Sequence, residues 1–377
     1  CLDYCKTNME NIDYVAQGWN PGSYWNNYNP LISEFRSKEI ENFYTIPDNL
    51  YKFTKRETHD WVLMDFPKDS KIPPVYHIVH HLSHASNAFF LSQFQESAIL
   101  TVDYKGEFEA MNMGLGKDNS FEIFNKQDFP HSLGVFYSTF TELLGYRPGN
   151  DEWKVMALSS FDVDCKDYEN KIRKTVNFID EGKILLDQTY YKASLKDQPN
   201  LYTKELVKLL GNREGIKGEE ATQWHMQVAK AMHNISEEIA THMLRELYNR
   251  TKSKNISLSG GFFMNSSYNG KILEQTPFEK LYVSYAPTDL GNSIGSALYV
   301  AHNIKKQKRN YEFNSSFIGP EYKNNEVLDE LNKRSIKFIE LLNPAKDVAK
   351  LISDGEIIAV FNGRMEFGER ALGNRSI

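Results

Sequence analysis

An α/β fold is predicted, and three stretches of the chain predict it. Residues 75–79 form an apolar run rich in β-branched side chains. At His80 the period changes, and Leu82, Ala85, Ala88, Phe89 and Leu91 recur at helical spacing. Residues 255–259 read as a short strand that reaches a glycine pair, Gly260-Gly261, and then a helix over 265–273. Residues 281–283 form another strand, leading to Asp289 at a strand-to-helix junction. Strands that feed helices repeatedly are the mark of α/β layers.

Length and composition narrow the class. The 377 residues suffice for two or three compact units. A hydrophobic content of 41% with 25% charged residues is that of an ordinary soluble globular protein. No run of eighteen apolar residues occurs, so no membrane helix and no membrane partner are expected. The net charge of −6 argues against general nucleic-acid affinity but leaves room for a local basic pocket. Cys1, Cys5 and Cys165 make no disulfide framework, which favours a reducing compartment, the cytoplasm. The chain lacks an initiator Met and stops at Ile377 while a motif is finishing, so a fragment missing both ends is expected.

In chain order, residues 12–16 read as a short parallel strand. An aromatic loop from Trp19 to Tyr28 follows, suited to a substrate mouth or to local packing. On the helix that starts at His80, His80 and His84 lie one turn apart, with Cβ atoms about 6 Å apart. Two imidazoles at that separation can share a metal ion. His77 and His81 have the same spacing, so a merely histidine-rich segment is the alternative. No Glu follows His80, which removes the zinc-protease pattern. A third ligand has to come from elsewhere.

Residues 98–103 form a buried strand ending in Asp103. Gly106 and Glu107 turn the chain, and 109–116 return as its antiparallel partner. An acid at a strand end beside a glycine is a recurrent position for phosphate and metal-bound water, and equally an ordinary turn. An amphipathic helix is expected over 131–144, then a Pro-rigidified loop over 147–154. Glu152 and Lys154 of that loop could bind ribose and phosphate, or pair locally in solvent. Residues 162–218 are charged and read as an inserted subdomain or cap, and a long helix runs over 219–251. The glycine pair at 260–261 lets a nucleotide approach backbone N–H groups at a helix N-terminus, although a lone Gly-Gly is weak. Residues 305–342 read as a connection with one helix, 348–352 as a helix and 356–361 as a strand. Arg364, Arg370 and Arg375, set among glycines, give the end of the chain an anion-binding composition.

Taken together, these motifs resemble the NodU/CmcH-type O-carbamoyltransferase family. The motifs are His80-His81-Leu82-Ser83-His84-Ala85, Val102-Asp103 through Gly106-Glu107, and His131-Ser132-Leu133-Gly134. They continue with Asp151-Glu152 to Lys154-Val155-Met156, Ser259-Gly260-Gly261 with Asn265, Asp289-Leu290-Gly291-Asn292-Ser293, and Gly363-Arg364-Met365-Glu366-Phe367-Gly368. The resemblance implies an actin/sugar-kinase-like, ribonuclease-H-like duplicated nucleotide-binding domain over 1–342. That domain is similar to the one that transfers threonylcarbamoyl groups to tRNA. The start of a YrdC-like domain over 343–377 would follow, belonging to a module that makes carbamoyl-adenylate.

It further implies an ATP-dependent enzyme that moves a carbamoyl group from carbamoyl phosphate to a hydroxyl of a sugar or natural product. His80, His84 and Asp289 would bind a divalent metal, Fe2+ by resemblance and by ligand type. Asp103 would act beside the metal and phosphates. Gly106, Glu152, Lys154, Gly260, Gly261, Asn265 and Gly291 would contact nucleotide, and Arg364, Arg370 and Arg375 carbamoyl phosphate. The resemblance allows a homodimer. Tyr104, Trp153 and Glu369 depart from the family pattern. Tyr104 and Glu369 support a second reading, a non-catalytic nucleotide-binding scaffold; transfer to a macromolecular acceptor is a third, and the acidic balance speaks against tRNA.

Overall fold

The computed structural model describes residues 2, 5–20, 60–64, 72–193, 200–309 and 315–377. The chain divides into two compact units, Cys1–Glu312 and Phe313–Ile377. The aromatic-loop reading beyond Asn20 lies outside the described residues.

In the first unit, β1 (Val15–Gln17), β2 (Trp61–Met64) and β3 (Val75–Ile78) form a small sheet. Its order is β1-β3-β2, with β1 parallel to β3 and β2 antiparallel to it. β3 runs into α1 (His80–Leu91), as the change of period predicts. Every residue of α1 is buried, so this helix has no solvated face. A helix buried all round has to satisfy its polar side chains internally. At its C-terminal end the buried Arg309 guanidinium donates to the carbonyls of Phe89 (2.5 Å) and Phe94 (2.9 Å) and to that of Ser92. These carbonyls lie in and just beyond the last turn of the helix, where a cation suits the helix dipole.

β4 (Glu96–Val102), β5 (Glu109–Lys117) and β6 (Ser120–Asp128) form an antiparallel meander. β9 (Asn255–Ser259) and β10 (Lys280–Val283) add to it in parallel, giving the order β10-β9-β4-β5-β6. This is the strand order of one ribonuclease-H-like half, which makes the first unit an α/β domain as expected. β4 is central and apolar throughout from Ala98 to Val102, apart from Thr101. Such continuous runs belong to strands covered on both faces. Helix α1 covers one face of the sheet.

There follow α2 (Leu133–Leu143), α3 (Glu152–Ser159), α4 (Lys166–Ile172), the hairpin β7–β8 (Val176–Ile179, Lys183–Leu186), α5 (Lys204–Leu209) and α6 (Gln223–Thr251). Of these, α6 lies against β4 and β5, and α2, α3 and α4 pack on α6. A Thr222–His225 capping box starts α6. Its predicted apolar stripe is buried: Trp224, Val228, Met232, Ile235, Ile239, Met243, Leu244 and Leu247. Each such side chain contributes about 1.5–3 kcal/mol of transfer free energy.

Several boundaries differ from the sequence reading. Glu152 and Lys154 lie on α3, not in a loop, because the turn is complete at Asp151 and an acid suits the first helical turn. Among its described residues, the charged stretch 162–218 does not hold a core of its own. Its Ile172, Val176, Ile184, Leu186 and Leu206 join the core under the large sheet. The single helix expected over 265–273 is broken into α7 (Ser266–Asn269) and α8 (Ile272–Gln275), with Gly270 between them. α9 (Asn292–Leu298) then packs on α1.

The second unit holds α10 (Asn324–Lys333), α11 (Pro344–Ser353) and a two-residue pairing of β11 (Val360–Phe361) with β12 (Arg375–Ser376). The strand expected over 356–361 shrinks to the two residues that find ladder partners. Among the described residues, no helix is long and apolar enough to cross a membrane.

Candidate metal centre

In open α/β sheets, ligands collect outside the carboxyl ends of the strands where connections diverge. Here β4 leaves into the β5 hairpin and β9 leaves towards β10. Thr101 and Ser259 are register partners, so Asp103 and Gly260-Gly261 emerge side by side. Asp289 follows β10 in a short turn, and β3 delivers His80 at the start of α1.

Four side chains meet at this point: His80, His84, Asp103 and Asp289, with one donor atom of each within 4.8 Å of all the others. His84 Nε2 lies 2.9 Å from Asp103 Oδ2 and 3.4 Å from Asp289 Oδ1. His80 Nε2 lies 3.6 and 3.2 Å from the same two oxygens. The two Nε2 atoms are only 3.1 Å apart. Nitrogen lone pairs so close, faced by two carboxylates, repel unless a proton or a cation stands among them. The donor set therefore fits a divalent metal ion, and mixed imidazole and carboxylate donors suit first-row metals.

The electrostatics agree. Burial lowers the His80 pKa, but hydrogen bonds and charges from Asp103 and Asp289 outweigh it and raise it to about 10. Burial likewise opposes ionisation of Asp103, yet His80 and His84 hold its carboxyl well below the usual range. At Asp289 partial desolvation is overcome in the same way, and its pKa is lowered. Asp289 stays on the open side, with 75% of its side chain exposed, while the histidines are enclosed.

Supporting groups surround the four. Glu107 is fully buried and accepts from the backbone N–H of Asn20 (2.6 Å) and of His80 (3.0 Å). It satisfies an unpaired donor of the first turn of α1. Burial pushes its carboxyl up to about 7. His81 turns into the core, with Nδ1 2.7 Å from Thr101 Oγ1. His84 Nδ1 lies 3.3 Å from Ser259 Oγ, which donates to the Pro287 carbonyl at 3.1 Å. The Trp19 ring stands edge-on to His80, with centroids 5.4 Å apart.

The remaining expected residues fall in three places. Gly261 adjoins the centre, where an added Cβ would sit 3.0 Å from Asp103 Oδ1. Gly260 has φ +101°, and a Cβ there would meet Val102 O at 2.2 Å. Asn265 accepts from Tyr268 N at 3.1 Å, and its buried Nδ2 has no partner among the described residues. Gly106 backs onto His80 and His81, and Gly291 onto Ala286 and Asn87.

On α3, Glu152 binds Ser138 Oγ (2.8 Å) and Gly149 N (2.6 Å), and Lys154 pairs with Asp151 at 2.9 Å. In the second unit, Arg364 donates to Gly319 O at 3.2 Å, and Arg375 to Glu366 (3.0 Å) and Gly368 O (2.6 Å). Arg370 is half-buried.

Sequence reasoning did not name Asp103 as a donor to the cation position, nor Glu107 as the cap of α1. The strand-end position of Asp103 was a usable signal, whereas Glu107 showed only as a turn and motif residue, with nothing to link it to α1.

Fold and site thus define an α/β protein with a cluster of four donor side chains, able to hold a metal ion, at the switch point of its main sheet. A model of the carbamoyltransferase N-terminus matches residues 8–298, and one of the carbamoyltransferase C-terminus matches residues 349–377. The chain belongs to the carbamoyltransferase family.

It is 31% identical over 307 residues to nodulation protein NolNO of Sinorhizobium fredii, covering 80% of this chain and 42% of that protein. It is 25% identical over 245 residues to the 3'-hydroxymethylcephem-O-carbamoyltransferase of Streptomyces clavuligerus, covering 65% and 42% respectively. A crystal structure of HypF from T. kodakarensis aligns with TM-score 0.34 and 12% identity, over 65% of this chain and 39% of that one. The chain spans about half the length of the curated relatives it matches.

Proposed function

We propose that the intact protein transfers a carbamoyl group from carbamoyl phosphate, through carbamoyl-adenylate, to a hydroxyl of a small-molecule acceptor, consuming ATP in the cytoplasm. The observation that carries this reading is the convergence of His80, His84, Asp103 and Asp289 beside the glycine-lined opening at Gly261. These four would hold the cation, and Fe2+ is the ion we favour. Bound there, it supplies Lewis acidity towards a phosphoryl or carbonyl oxygen.

The chain's own groups arrange the rest. Gly261 leaves the space over Asp103 free of a side chain, so an anionic ligand can reach it. Asn265 Nδ2 offers a buried donor to a nucleotide from the start of α7, a gain for a group otherwise unpaired. Gly106 and Gly291 serve this centre by close packing, Gly106 against His80 and His81 and Gly291 against the loop that carries Asp289. Glu152 and Lys154 would reach nucleotide only by exchanging their present partners. Arg364, Arg370 and Arg375 are assigned to carbamoyl phosphate within the second unit, where Glu366 orients Arg375.

The scaffold reading rests on Tyr104 and Glu369. The Tyr104 ring packs on Phe129 and against the main core, which accounts for that residue.

The test is to supply the full-length protein with ATP and carbamoyl phosphate and follow pyrophosphate release, then label transfer to hydroxylated acceptors. Carbamoyl-dependent pyrophosphate release with a chelator-sensitive transfer step is expected. ATP binding without carbamoyl turnover, or transfer unaffected by stripping metal, would overturn the assignment.

A further inference from the structure

His80 and His84 turn their Nε2 atoms towards Asp103 and Asp289. A cation held among them needs both Nε2 lone pairs, so each ring must carry its proton on Nδ1. A buried ring N–H in turn needs an acceptor. For His84 that acceptor is Ser259 Oγ, 3.3 Å away, whose own hydrogen goes to Pro287 O.

For His80 the group facing Nδ1 is the Asn292 carboxamide, at 3.4 Å. The same end of the amide lies 3.3 Å from His84 Nε2, at the rim of the cation position. Asn292 is 4% exposed, and its far end, Oδ1, has no partner among the described residues. With Nδ2 towards the ring, the amide can donate only to a bare Nδ1, the tautomer that takes Nε2 away from the cation. A half-turn of χ2 exchanges the two ends with almost no change in shape. The carbonyl oxygen then accepts from Nδ1–H. One amide end is unpartnered in either state; with the His84 Nε2 lone pair engaged by the cation, Nδ2 has no acceptor there either, so the bond to His80 decides between them.

The backbone around Asn292 is closely packed. Gly295 sits on the Ser83 carbonyl, where a Cβ would come within 1.9 Å, and Gly18 closes on the Asn292 Cβ, where a Cβ would come within 2.9 Å.

We propose that Asn292 is a positioning residue: its side-chain carbonyl accepts from His80 Nδ1–H and so keeps His80 Nε2 available to the cation. This deepens the metal reading and rests on it.

The experiment uses the full chain with Co2+ as an absorption probe, and the Zn2+-loaded chain for nitrogen-15 NMR of the histidine rings. Asn292→Leu, close in shape but without an acceptor, is expected to weaken Co2+ binding about 10–100-fold. It should also abolish the slowly exchanging His80 Nδ1–H resonance. Asn292→Asp, which keeps an oxygen there, should restore that resonance. Co2+ bound equally well by Asn292→Leu overturns the inference while sparing the metal centre. So does a Zn2+-loaded wild-type chain with the His80 proton on Nε2, whether or not the variants fold. No Co2+ binding by the wild-type chain sinks both.

Discussion

Asn87 Nδ2 donates a 2.7 Å hydrogen bond to the Ala286 carbonyl across 199 positions of the chain. Asn87 Oδ1 accepts from Ser284 Oγ at 3.1 Å. Asn87 lies one turn beyond His84 on the same helix, and Ala286 lies three residues before Asp289. One buried amide therefore ties the helix that carries both histidines to the loop that carries the exposed carboxylate. Asn87→Ala should cost about 1–3 kcal/mol, the price of buried polar groups left unpaired. It should weaken Co2+ binding while leaving both histidines in place. Calorimetry and a Co2+ titration check this, and unchanged affinity would refute the role.

The pH response follows from His80. In the metal-free protein its pKa of about 10 lies above the unfolded value of about 6.5. The imidazolium therefore stabilises the fold fully below about pH 6.5, and that contribution is lost as pH rises through about 10. Chelator-treated protein should lose Tm steadily from about pH 7 to 10. Cation binding displaces the proton, so Zn2+ affinity should rise over the same range. Scanning calorimetry with and without chelator reads both trends, and a flat metal-free profile would contradict them.

Gly260 and Gly261 are neighbours with different tasks. Gly260→Ala places a Cβ 2.2 Å from Val102 O at a left-handed φ, so a loss of at least about 1–3 kcal/mol is expected. Gly261→Ala has no such conformational conflict, and its Cβ would meet only Asp103 Oδ1 at 3.0 Å. Its stability should stay within about 0.5 kcal/mol, while binding of ATP and cation weakens. Denaturant melts beside ATP and Co2+ titrations separate the two, and parallel losses would refute the division.

In the second unit, Glu366 accepts from Leu372 N (2.7 Å), Asn374 N (2.8 Å) and Arg375 Nε (3.0 Å). Desolvation works against its charge, and these donors outweigh it and lower the pKa to about 2. Against an unfolded value of about 4.3, its contribution is present above that pH and lost as pH falls through about 2. Glu366→Gln should loosen residues 364–376 to proteolysis at neutral pH. Titration of the Glu366 side-chain carbon by NMR should show the low pKa, and an ordinary midpoint near 4 would refute it.

Local chemistry was legible in the sequence. The spacing of His80 and His84 puts both rings on one helical face whatever surrounds the helix, because the backbone repeat is intrinsic. The apolar stripe of α6 and the strands at 75–79, 98–103 and 255–259 were readable for the same reason. Tertiary structure decided the remainder. Asp103 comes to the two histidines because β4 and β9 are neighbours, and Asp289 because β10 lies beyond β9. Glu107 reaches the first turn of α1, and Asn292 reaches His80, only once that helix is enclosed. Periodicity fixes which side of its own element a residue occupies, whereas the order of strands in a sheet depends on packing across the whole chain. No single stretch encodes that order.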